Sequence, residues 1–595
     1  MGTRILLLAV LAATAAVAES PDELSDDRHF KNTDVFELEY ALDPQIAPDG
    51  SSVAYVRQSM DVHRDRAVAN IWIVGRAGDD HRPLLSGTDN YSSPRWSPDG
   101  AGYLSSGNTQ VFVLPADGGT PRQLTRGDYN HGGPLAWSPD GARIVFSARG
   151  AEDPIDAPQQ FDLWSVDVAS SELTRLTDRD GPDTTPAFSP DGSKLVYLGY
   201  DDRKLGYHNT NVYVMDVANG GVENLTAGFD RSIAGVAWAG GSNRLYVQYD
   251  DRGKRRLAVL SMNGSLDEIL DDVGSASTGR PYTNGGFSVA GDGTVAYNAG
   301  RPDRPADVGL ANRRGKLRML TALNEDLFAK RRPATVEELT WQSSLGDYQI
   351  QGWLVKPHDF DPERRYPLIL EIHGGPFAAY GPHFSPEIQL YAAAGYVVLY
   401  SNPRGSTSYG HDFANEIHHD YPSQDYDDLM SGVDAAIATG YVDETQLFVT
   451  GGSGGGVLTA WIVGNTDRFR AAVVQKPVIN WASFVLTSDI MPFLTEYWFS
   501  APPWDDPQQY WRRSPLSLVG NVTTPTMLIT GEADWRTPIA ESEQFFQALA
   551  LRKVDTALLR VPERSHNLVG RPSHLIAKAD NIIAWFERYR PAAKD

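Results

Sequence analysis

The stretch Leu447-Phe-Val-Thr-Gly-Gly-Ser-Gly-Gly-Gly456 decides how the C-terminal half of this sequence folds. Three apolar residues and a threonine lead into the pattern G-x-S-x-G at 451–455, and an apolar helical run follows at 457–463. A strand, a tight turn that carries a serine and a helix together make a nucleophile elbow, where larger side chains than glycine would clash. A flexible Gly/Ser linker has similar letters but does not lie between a strand and a helix. The pattern therefore predicts that Ser453 is a nucleophile.

The rest of the C-terminal half alternates between short apolar runs and helical stretches, starting at about Thr340. This alternation predicts a parallel sheet flanked by helices, and we assign it to residues 336–595. The predicted strands are 367–372, 396–400, 447–450, 471–474, 526–530 and 556–561. The predicted helices include 425–438, 541–551 and 573–589.

A nucleophilic serine needs a base and an acid that orients the base. In α/β-hydrolases both follow the serine, the acid before the histidine, each on a loop after a strand. Asp534 follows one predicted strand and His566 follows the last one. Glu532 is the alternative acid, and His574, which begins a helical run, is the alternative base. We predict an α/β-hydrolase domain with the triad Ser453, Asp534 and His566.

A hydrolytic serine also needs backbone N–H donors that bind the oxyanion. One is expected from Gly454, the residue after the nucleophile. The other is expected from the loop after the first predicted strand, which reads His373-Gly-Gly-Pro376. Within that loop we assign Gly375, with Gly374 as the alternative.

A turn with the core Pro-Asp-Gly recurs through the N-terminal half. Proline fixes φ, aspartate bonds back to the backbone and glycine takes a positive φ, so each copy predicts a tight turn between strands. A period of about 40–50 residues is typical of a β-propeller. Six copies and a diverged segment near 300–335 predict seven blades within residues 19–335, with six or eight as alternatives. The copies, two of them degenerate, lie at 47–50, 96–100, 137–141, 188–192, 238–241 and 291–293.

The first 18 residues have the pattern of a signal peptide. Arg4 gives a positive start, residues 5–17 carry no charge, and Ala16-Val-Ala18 is an A-x-A cleavage site. The alternative is a membrane anchor, but a span needs roughly 20 apolar residues. We therefore predict an exported protein, periplasmic or secreted, without membrane attachment after the signal is removed.

The composition excludes several kinds of function. A net charge of −23 argues against nucleic-acid binding, which needs lysine and arginine at the phosphates. Because the chain has no cysteine, it has no disulfide, no cysteine nucleophile and no thiolate metal site. Zinc, EF-hand and phosphate-loop spacings do not occur, and the adjacent side chains of His418-His419-Asp420 do not converge easily. We predict neither a metal nor a cofactor.

With these residues in place, the chain resembles the prolyl oligopeptidase family, most of all its acylaminoacyl-peptidase and bacterial dipeptidyl-peptidase branch. That family places a propeller before an α/β-hydrolase domain, so the resemblance spans the mature chain. It implies a serine exopeptidase or oligopeptidase that hydrolyses short peptides near the N-terminus, with the propeller covering the site. The matching motifs are His373-Gly-Gly-Pro376, Asn402-Pro-Arg-Gly-Ser406 with Tyr409-Gly410, Gly451-Gly-Ser-Gly-Gly455, Asp534-Trp-Arg-Thr-Pro538 and Ser565-His566.

The resemblance also implies substrate-binding residues. Arg536 matches an arginine that binds the carbonyl before the P1 residue in acylaminoacyl peptidases. Val478, Trp481 and Phe484 match the apolar wall of the S1 pocket, with ordinary core packing as the alternative.

The sequence departs from the family pattern at three places. His373 stands where other branches have a tyrosine oxyanion donor, which implies a backbone donor here. Gly454 stands where relatives often carry an aromatic residue, which implies a looser pocket. The paired glutamates that hold a free N-terminus in dipeptidyl peptidase IV are not recognisable, since Glu337-Glu338 lies at the start of the hydrolase domain.

Two other functions fit the same sequence. An esterase would use the same triad on carboxylic esters. A propeller-based binding protein would carry an inactive hydrolase domain, and a structural scaffold is a weaker variant of that alternative. The expected partners are short peptides, and the oligomeric state stays open, a homo-oligomer included.

Overall fold

The computed structural model describes residues 28–591, except 48, 88–89, 92–109, 114–119, 121, 128–129, 132, 150–154 and 156. The predicted signal peptide and the turn copy at 96–100 therefore lie outside the described residues. No helix in the described part of the chain combines the length and the apolar character that crossing a membrane requires.

The N-terminal half consists of antiparallel sheets that follow one another along the chain. The described residues form five four-stranded sheets and one two-stranded sheet, six in all. Their strands are β1 Tyr40–Ile46, β2 Ser52–Asp61, β3 Arg66–Gly75 and β4 Arg82–Leu85; β5 Phe112–Val113 and β6 Arg122–Gln123; β7 Ala136–Trp137, β8 Arg143–Ala148, β9 Asp162–Asp167 and β10 Leu173–Arg175; β11 Asp183–Phe188, β12 Lys194–Gly199, β13 Asn211–Asp216 and β14 Val222–Asn224; β15 Ile233–Trp238, β16 Arg244–Asp251, β17 Lys254–Ser261 and β18 Leu266–Leu270; β19 Phe287–Val289, β20 Val295–Arg301, β21 Arg304–Ala311 and β22 Leu317–Met319.

The recurring turn joins the first and second strands of the four-stranded sheets. In the turn between β11 and β12, Asp191 accepts the Ser193 N–H at 3.0 Å and Gly192 has a φ of 72°. Asp140 and Asp292 make the same contact with the residue two positions on. Each of the five copies within the described residues thus marks one four-stranded sheet, as its chemistry predicts.

The prediction of a diverged further unit near 300–335 is wrong. Strands β21 and β22 complete the sheet that β19 and β20 begin, because β20 pairs with β21 and β21 with β22. The first and last sheets pack together: Ala41 and Tyr55 share one apolar cluster with Ala296 and Val308. The described residues therefore give six sheets, with contact between first and last as in the ring of a propeller.

The C-terminal half is one eight-stranded sheet with the order β23-β24-β26-β25-β27-β28-β29-β30. All neighbours from β26 to β30 are parallel, and β23 and β24 add an antiparallel edge, so the predicted parallel sheet is present. Its strands are β23 Thr335–Gln342, β24 Gln349–Lys356, β25 Tyr366–Ile372, β26 Val397–Asn402, β27 Val442–Gly452, β28 Ala471–Gln475, β29 Thr526–Gly531 and β30 Thr556–Val561.

Helices cover both faces of this sheet, because side chains along each strand alternate between two cores. In β25, Leu368 and Leu370 enter one core and Ile369 enters the other. The segment before β1 contributes to the second core through Phe30 and Val35. The helices are α1 Glu325–Lys330, α2 Pro386–Ala393, α3 His411–Asn415, α4 Asp425–Ala438, α5 Gly454–Asn465, α6 Trp481–Val485, α7 Met491–Phe493, α8 Pro507–Arg513, α9 Ile539–Leu551 and α10 Pro572–Glu587, with 3-10 turns at Asn32–Phe36 and Pro515–Asn521 and a π turn at Leu494–Trp498.

A buried ion pair ties the loop after β26 to helix α4. Arg404 donates from Nε and Nη2 to the two carboxylate oxygens of Asp428 at 2.9 and 2.7 Å, and its backbone N–H bonds the same carboxylate. The exposed fractions are 1% for Arg404 and 0% for Asp428. A charge buried without its partner would be strongly destabilising, so this ion pair holds the loop after β26 against α4.

Removal of one partner of this pair tests that role. Asp428→Asn leaves the Arg404 charge buried and half-partnered, and we expect it to lower the free energy of unfolding by about 3–5 kcal/mol in urea titrations. The matched control is Asp80→Asn, which breaks the exposed pair with Arg82 and should cost no more than about 1 kcal/mol. Equal, small losses in both variants would contradict the structural role of Arg404 and Asp428.

Candidate active site

Ser453 lies at the junction between β27, which ends at Gly452, and α5, which begins at Gly454. Its φ of 60° and ψ of −120° are unusual for a residue with a side chain and cost energy. The neighbouring strand and helix hold this conformation: the Ser453 N–H donates to the Gln475 carbonyl at 3.0 Å, and the Ser453 carbonyl accepts from Val457 N–H at 2.9 Å. The junction is therefore the strained turn that the motif predicts.

The glycines of the elbow allow α5 to lie against the end of β25. A Cβ on Gly455 would stand 2.1 Å from the Ile372 carbonyl oxygen, and one on Gly454 would stand 2.8 Å from the Gly375 carbonyl oxygen. The space beside Gly454 is filled by the Gly375 backbone. The expectation that Gly454 loosens the pocket is therefore wrong: it lets the Gly375 loop approach the serine.

The side chains of Ser453, His566 and Asp534 form one hydrogen-bonded chain. His566 Nε2 is 3.0 Å from Ser453 Oγ, and His566 Nδ1 is 2.9 Å from Asp534 Oδ2. Asp534 is held in turn by the N–H groups of Arg536 and Thr537 at 3.0 and 2.9 Å. This arrangement can take a proton from the serine and stabilise the resulting imidazolium.

The surroundings set the charges of this chain. Burial raises the pKa of Asp534, but the hydrogen bond and positive charge of His566 and the bonds from Thr537 outweigh burial, so that the pKa lies below its ordinary value. Burial lowers the pKa of His566, and the nearby Lys476 charge acts in the same direction, against the opposing effect of Asp534. The acid is therefore ionised and the imidazole neutral at pH 7, as a general base requires.

The alternative acid and base lie outside this chain of hydrogen bonds. Glu532 is exposed and pairs with Arg560 at 3.0 Å. His574 lies in the first turn of α10, where its backbone N–H bonds the Arg571 carbonyl.

The two glycines predicted to bind an oxyanion, Gly454 and Gly375, lie close together beside Ser453. Gly454 is the first residue of α5, and the first N–H groups of a helix have no partner within the helix. Gly375 has a φ of 125° and lies against Gly454, with its backbone nitrogen 3.1 Å from the Cβ position of that glycine. The Gly374 N–H, in contrast, donates to the Tyr282 hydroxyl at 2.9 Å. This contact occupies the alternative donor and favours Gly375.

A cavity of about 460 Å³ opens beside Ser453, and both domains line it. The N-terminal domain contributes residues 277–280 and Tyr282, from the segment between β18 and β19. This segment is anchored by backbone bonds to the hydrolase domain, such as Gly381 N–H to the Pro281 carbonyl at 2.8 Å. No sequence motif indicated these residues, because only the tertiary fold brings the segment to the serine.

An aromatic cluster lies on another side of the elbow. Tyr421 donates from its hydroxyl to the Gly454 carbonyl at 2.7 Å, and its ring contacts Trp481 and Trp498. Phe377, two residues after Gly375, contacts Trp498. Of the predicted S1 wall, Val478, Trp481 and Phe484 are at most 4% exposed and belong to the domain core. Within the described residues they do not line the cavity around Ser453.

Arg536 lies two residues after Asp534 and, within the described residues, does not line the cavity beside Ser453. Its side chain is 44% exposed, and Nε donates to Asp489 Oδ1 at 2.6 Å. Other N–H donors of the Arg536 guanidinium therefore face solvent.

The histidine pair at 418–419 has a packing role. The two rings stack with centroids 3.8 Å apart, and His418 Nδ1 accepts the Gly206 N–H at 3.2 Å. Among the described residues, the one group dense enough to hold a metal ion is His29, His358 and Asp359, where both imidazoles already bond the carboxylate.

Comparison with known proteins agrees with this geometry. The prolyl oligopeptidase family matches residues 382–591, and the dipeptidyl peptidase IV N-terminal region matches residues 101–205. The chain is 31% identical to the uncharacterized peptidase YuxL of Bacillus subtilis, over 93% of this chain and 99% of that protein. It is 26% identical to dipeptidyl-peptidase 5 of Porphyromonas gingivalis, over 76% of this chain and 66% of that protein.

The fold is also found among solved structures. Acylaminoacyl peptidase of Pyrococcus horikoshii superposes with a TM-score of 0.76 at 21% identity, over 95% of this chain and 99% of that one. At this identity the likeness concerns the fold. Because a relative at 31% identity aligns along nearly all of both chains and the C-terminal domain matches the family directly, the chain belongs to the prolyl oligopeptidase family and is a serine-type peptidase.

Proposed function

We propose that this peptidase hydrolyses short peptides near the N-terminus, as an exopeptidase or oligopeptidase of the dipeptidyl-peptidase or acylaminoacyl-peptidase type. The observation that carries the proposal is the chain of hydrogen bonds from Asp534 through His566 to Ser453, at 2.9 and 3.0 Å, on a strained elbow. Relatives named dipeptidyl-peptidase 5 support the dipeptidyl type.

The proposed mechanism is a two-step acyl transfer. His566 Nε2 takes the proton from Ser453 Oγ, which attacks the scissile carbonyl carbon. The N–H groups of Gly454 and Gly375 bind the oxyanion. The imidazolium then gives its proton to the leaving amine as the C–N bond breaks. Water, deprotonated by His566, attacks the acyl-enzyme and releases the second product.

The two-domain cavity supports the proposed restriction to short peptides. Residues 277–280 and Tyr282 cover one side of the serine, so a folded protein segment would have to displace them. On the acyl side we propose that Arg536 binds the carbonyl before the P1 residue. The partly buried rings of Phe377 and Trp498 receive the P1 side chain, and Val478, Trp481 and Phe484 support these rings from the core.

We further propose that the protein is exported. The support is the signal-peptide pattern of residues 1–18, which predicts a mature chain that starts at Glu19.

Paired chromogenic peptides test the proposed reaction. A p-nitroanilide of a free dipeptide and its acetylated counterpart separate the dipeptidyl from the acylaminoacyl type. We expect Ser453→Ala to lower kcat/KM by at least roughly 1,000-fold, since removal of the nucleophile leaves only the binding contributions. Ser344→Ala, at an exposed serine, is the matched control and should retain full activity. Turnover that survives in Ser453→Ala would exclude Ser453 as the nucleophile.

The pH profile tests His566 as the base. Because the pKa of His566 is lowered, we expect full kcat/KM at pH 7 and a fall of about tenfold per unit once the pH drops below that pKa. Asp534→Asn should reduce kcat by about 10³–10⁴-fold. It should also move the acidic limb to lower pH, because the Asp534 charge raises the pKa of the imidazole. His574→Gln is the control and should leave the acidic limb of the pH profile unchanged. If the limb shifted in His574→Gln and not in Asp534→Asn, His574 rather than His566 would be the base.

Arg536→Met separates peptide from ester substrates. Loss of a charged hydrogen bond to the carbonyl before P1 should lower kcat/KM for a peptide, relative to p-nitrophenyl acetate, by about tenfold or more. The acetate lacks that carbonyl and serves as the internal reference. Arg512→Met, at an exposed arginine of α8, should leave this ratio unchanged. An unchanged ratio in Arg536→Met would exclude the assigned role.

A further inference from the structure

Five charged side chains stand together beside Ser453, and the proposed mechanism uses none of them. This group, here called the charged cluster, consists of Arg280, Glu371, Glu387, Lys476 and Lys578. Four of its members line the cavity that contains Ser453 and His566, and Glu371 lies behind them. Arg280 comes from the N-terminal domain and the other four from the hydrolase domain.

Both carboxylates of the charged cluster already have cationic partners. Lys578 Nζ is 2.6 Å from Glu387 Oε2, and Arg280 Nε is 3.5 Å from the same oxygen. Arg280 Nη2 is 3.0 Å from Glu371 Oε1. Glu371 and Glu387 are each 1% exposed, so these charges depend on one another.

Lys476 is the cation in excess. Its Nζ donates to the backbone carbonyl of His566 at 2.8 Å, and no carboxylate of the described residues lies within ion-pair distance of it. Within the charged cluster three cations face two carboxylates. The charge of Asp534 also acts on Lys476, but that carboxylate is already engaged by His566 and by two backbone N–H groups. The cavity wall therefore attracts an anion, and the engaged carboxylates are poorly placed to receive a free amino group.

The excess charge lies close to the reacting atoms. A Cβ on Gly452, the residue before the nucleophile, would stand 2.9 Å from Arg280 Nη1 and 3.1 Å from Lys476 Cε. The cavity continues along residues 566–569. His566 must give its proton to the leaving amine, so the group that departs lies on the His566 side of the serine. The aromatic cluster and Arg536 then lie on the side that binds the acyl part of the substrate, which precedes the scissile bond.

The backbone of Lys476 is also unusual. Its φ is 39°, a left-handed conformation that is costly for a residue with a side chain. Bonds from Lys476 N–H to the Ile529 carbonyl, at 2.7 Å, and from Thr537 Oγ1 to the Lys476 carbonyl, at 3.1 Å, hold it there. Strain that the surroundings maintain is typical of a functional position.

We propose that Lys476 binds a carboxylate on the leaving-group side of the scissile bond. This inference rests on the proposed function, since it names the leaving group that this site prefers. The carboxylate is either the C-terminal carboxylate of a one-residue leaving group or an acidic side chain at the first position after the cut. Burial, with the nearby charges of Arg280 and Lys578, lowers the pKa of Lys476 to about 7. A bound carboxylate would offset that loss and keep the ammonium charged.

Four peptides that share the same acyl part and differ only in the leaving group test this site. Their leaving groups are alanine, alanine amide, aspartate α-amide and asparagine amide. We expect kcat/KM for one charged member to exceed that of its neutral partner by about tenfold or more, the size of a charged hydrogen bond. Preference for alanine over its amide identifies the terminal carboxylate. Preference for the aspartate α-amide over asparagine amide identifies the acidic side chain.

The variants assign the preference to Lys476. In Lys476→Met the charged-to-neutral ratio should fall to near one, and in Lys476→Arg the preference should persist. Each ratio compares two peptides on one variant, so a general loss of activity or a shift in the pKa of His566 cancels. Lys553→Met, at an exposed lysine, is the matched control and should keep the wild-type ratio.

Ratios near one in the wild type, or ratios unchanged in Lys476→Met, would overturn the inference. The p-nitroanilide assay separates this failure from failure of the proposed function. If wild type cleaves a p-nitroanilide through Ser453 but shows no charge preference, only the inference about Lys476 is lost. If wild type cleaves neither p-nitroanilides nor the four peptides, the proposed function and the inference are lost together.

Discussion

The active site depends on the close approach of helix α5 to the end of strand β25. A Cβ on Gly455 would stand 2.1 Å from the Ile372 carbonyl, so only glycine permits this spacing. The same approach brings the Gly375 loop against Gly454, while bonds to Gln475 and Val457 hold Ser453 in its strained conformation. The approach therefore places Ser453 next to the Gly375 loop, which we propose supplies an oxyanion donor. His566 and Asp534 reach Ser453 from the loops after β30 and β29, which add to the same parallel sheet.

The N-terminal domain takes part in the site as well as covering it. Tyr282 accepts the Gly374 N–H and so fixes the loop that carries Gly375. Arg280 reaches Glu371 and Glu387 of the hydrolase domain, which are buried and need its charge. Separation of the domains would leave these carboxylates short of a cation, and that cost holds the two domains together around the cavity.

Much of this architecture could be predicted from the sequence, because the elements involved are local. The elbow motif, the order of acid and base after it, and the turn chemistry of the repeat each follow from a few adjacent residues. The number of sheets was harder to predict, because no turn motif shows which sheet the strands at 304–311 and 317–319 join. The effect of Gly454 was mispredicted because the facing backbone comes from residue 375.

The charged cluster could not be predicted at all. Arg280, Glu371, Lys476 and Lys578 lie far apart in the sequence, and no local pattern indicates that their side chains meet. Their meeting depends on the packing of α2 and α10 against the sheet and on the segment between β18 and β19. Such a site is visible only in three dimensions.

The most direct test of the central claim, that Ser453 is an activated nucleophile, is labelling with a fluorophosphonate followed by intact-mass and peptide mass spectrometry. We predict one adduct per chain, located on Ser453 and formed more slowly when His566 is protonated at low pH. An unlabelled protein, or an adduct on another residue, would contradict the account.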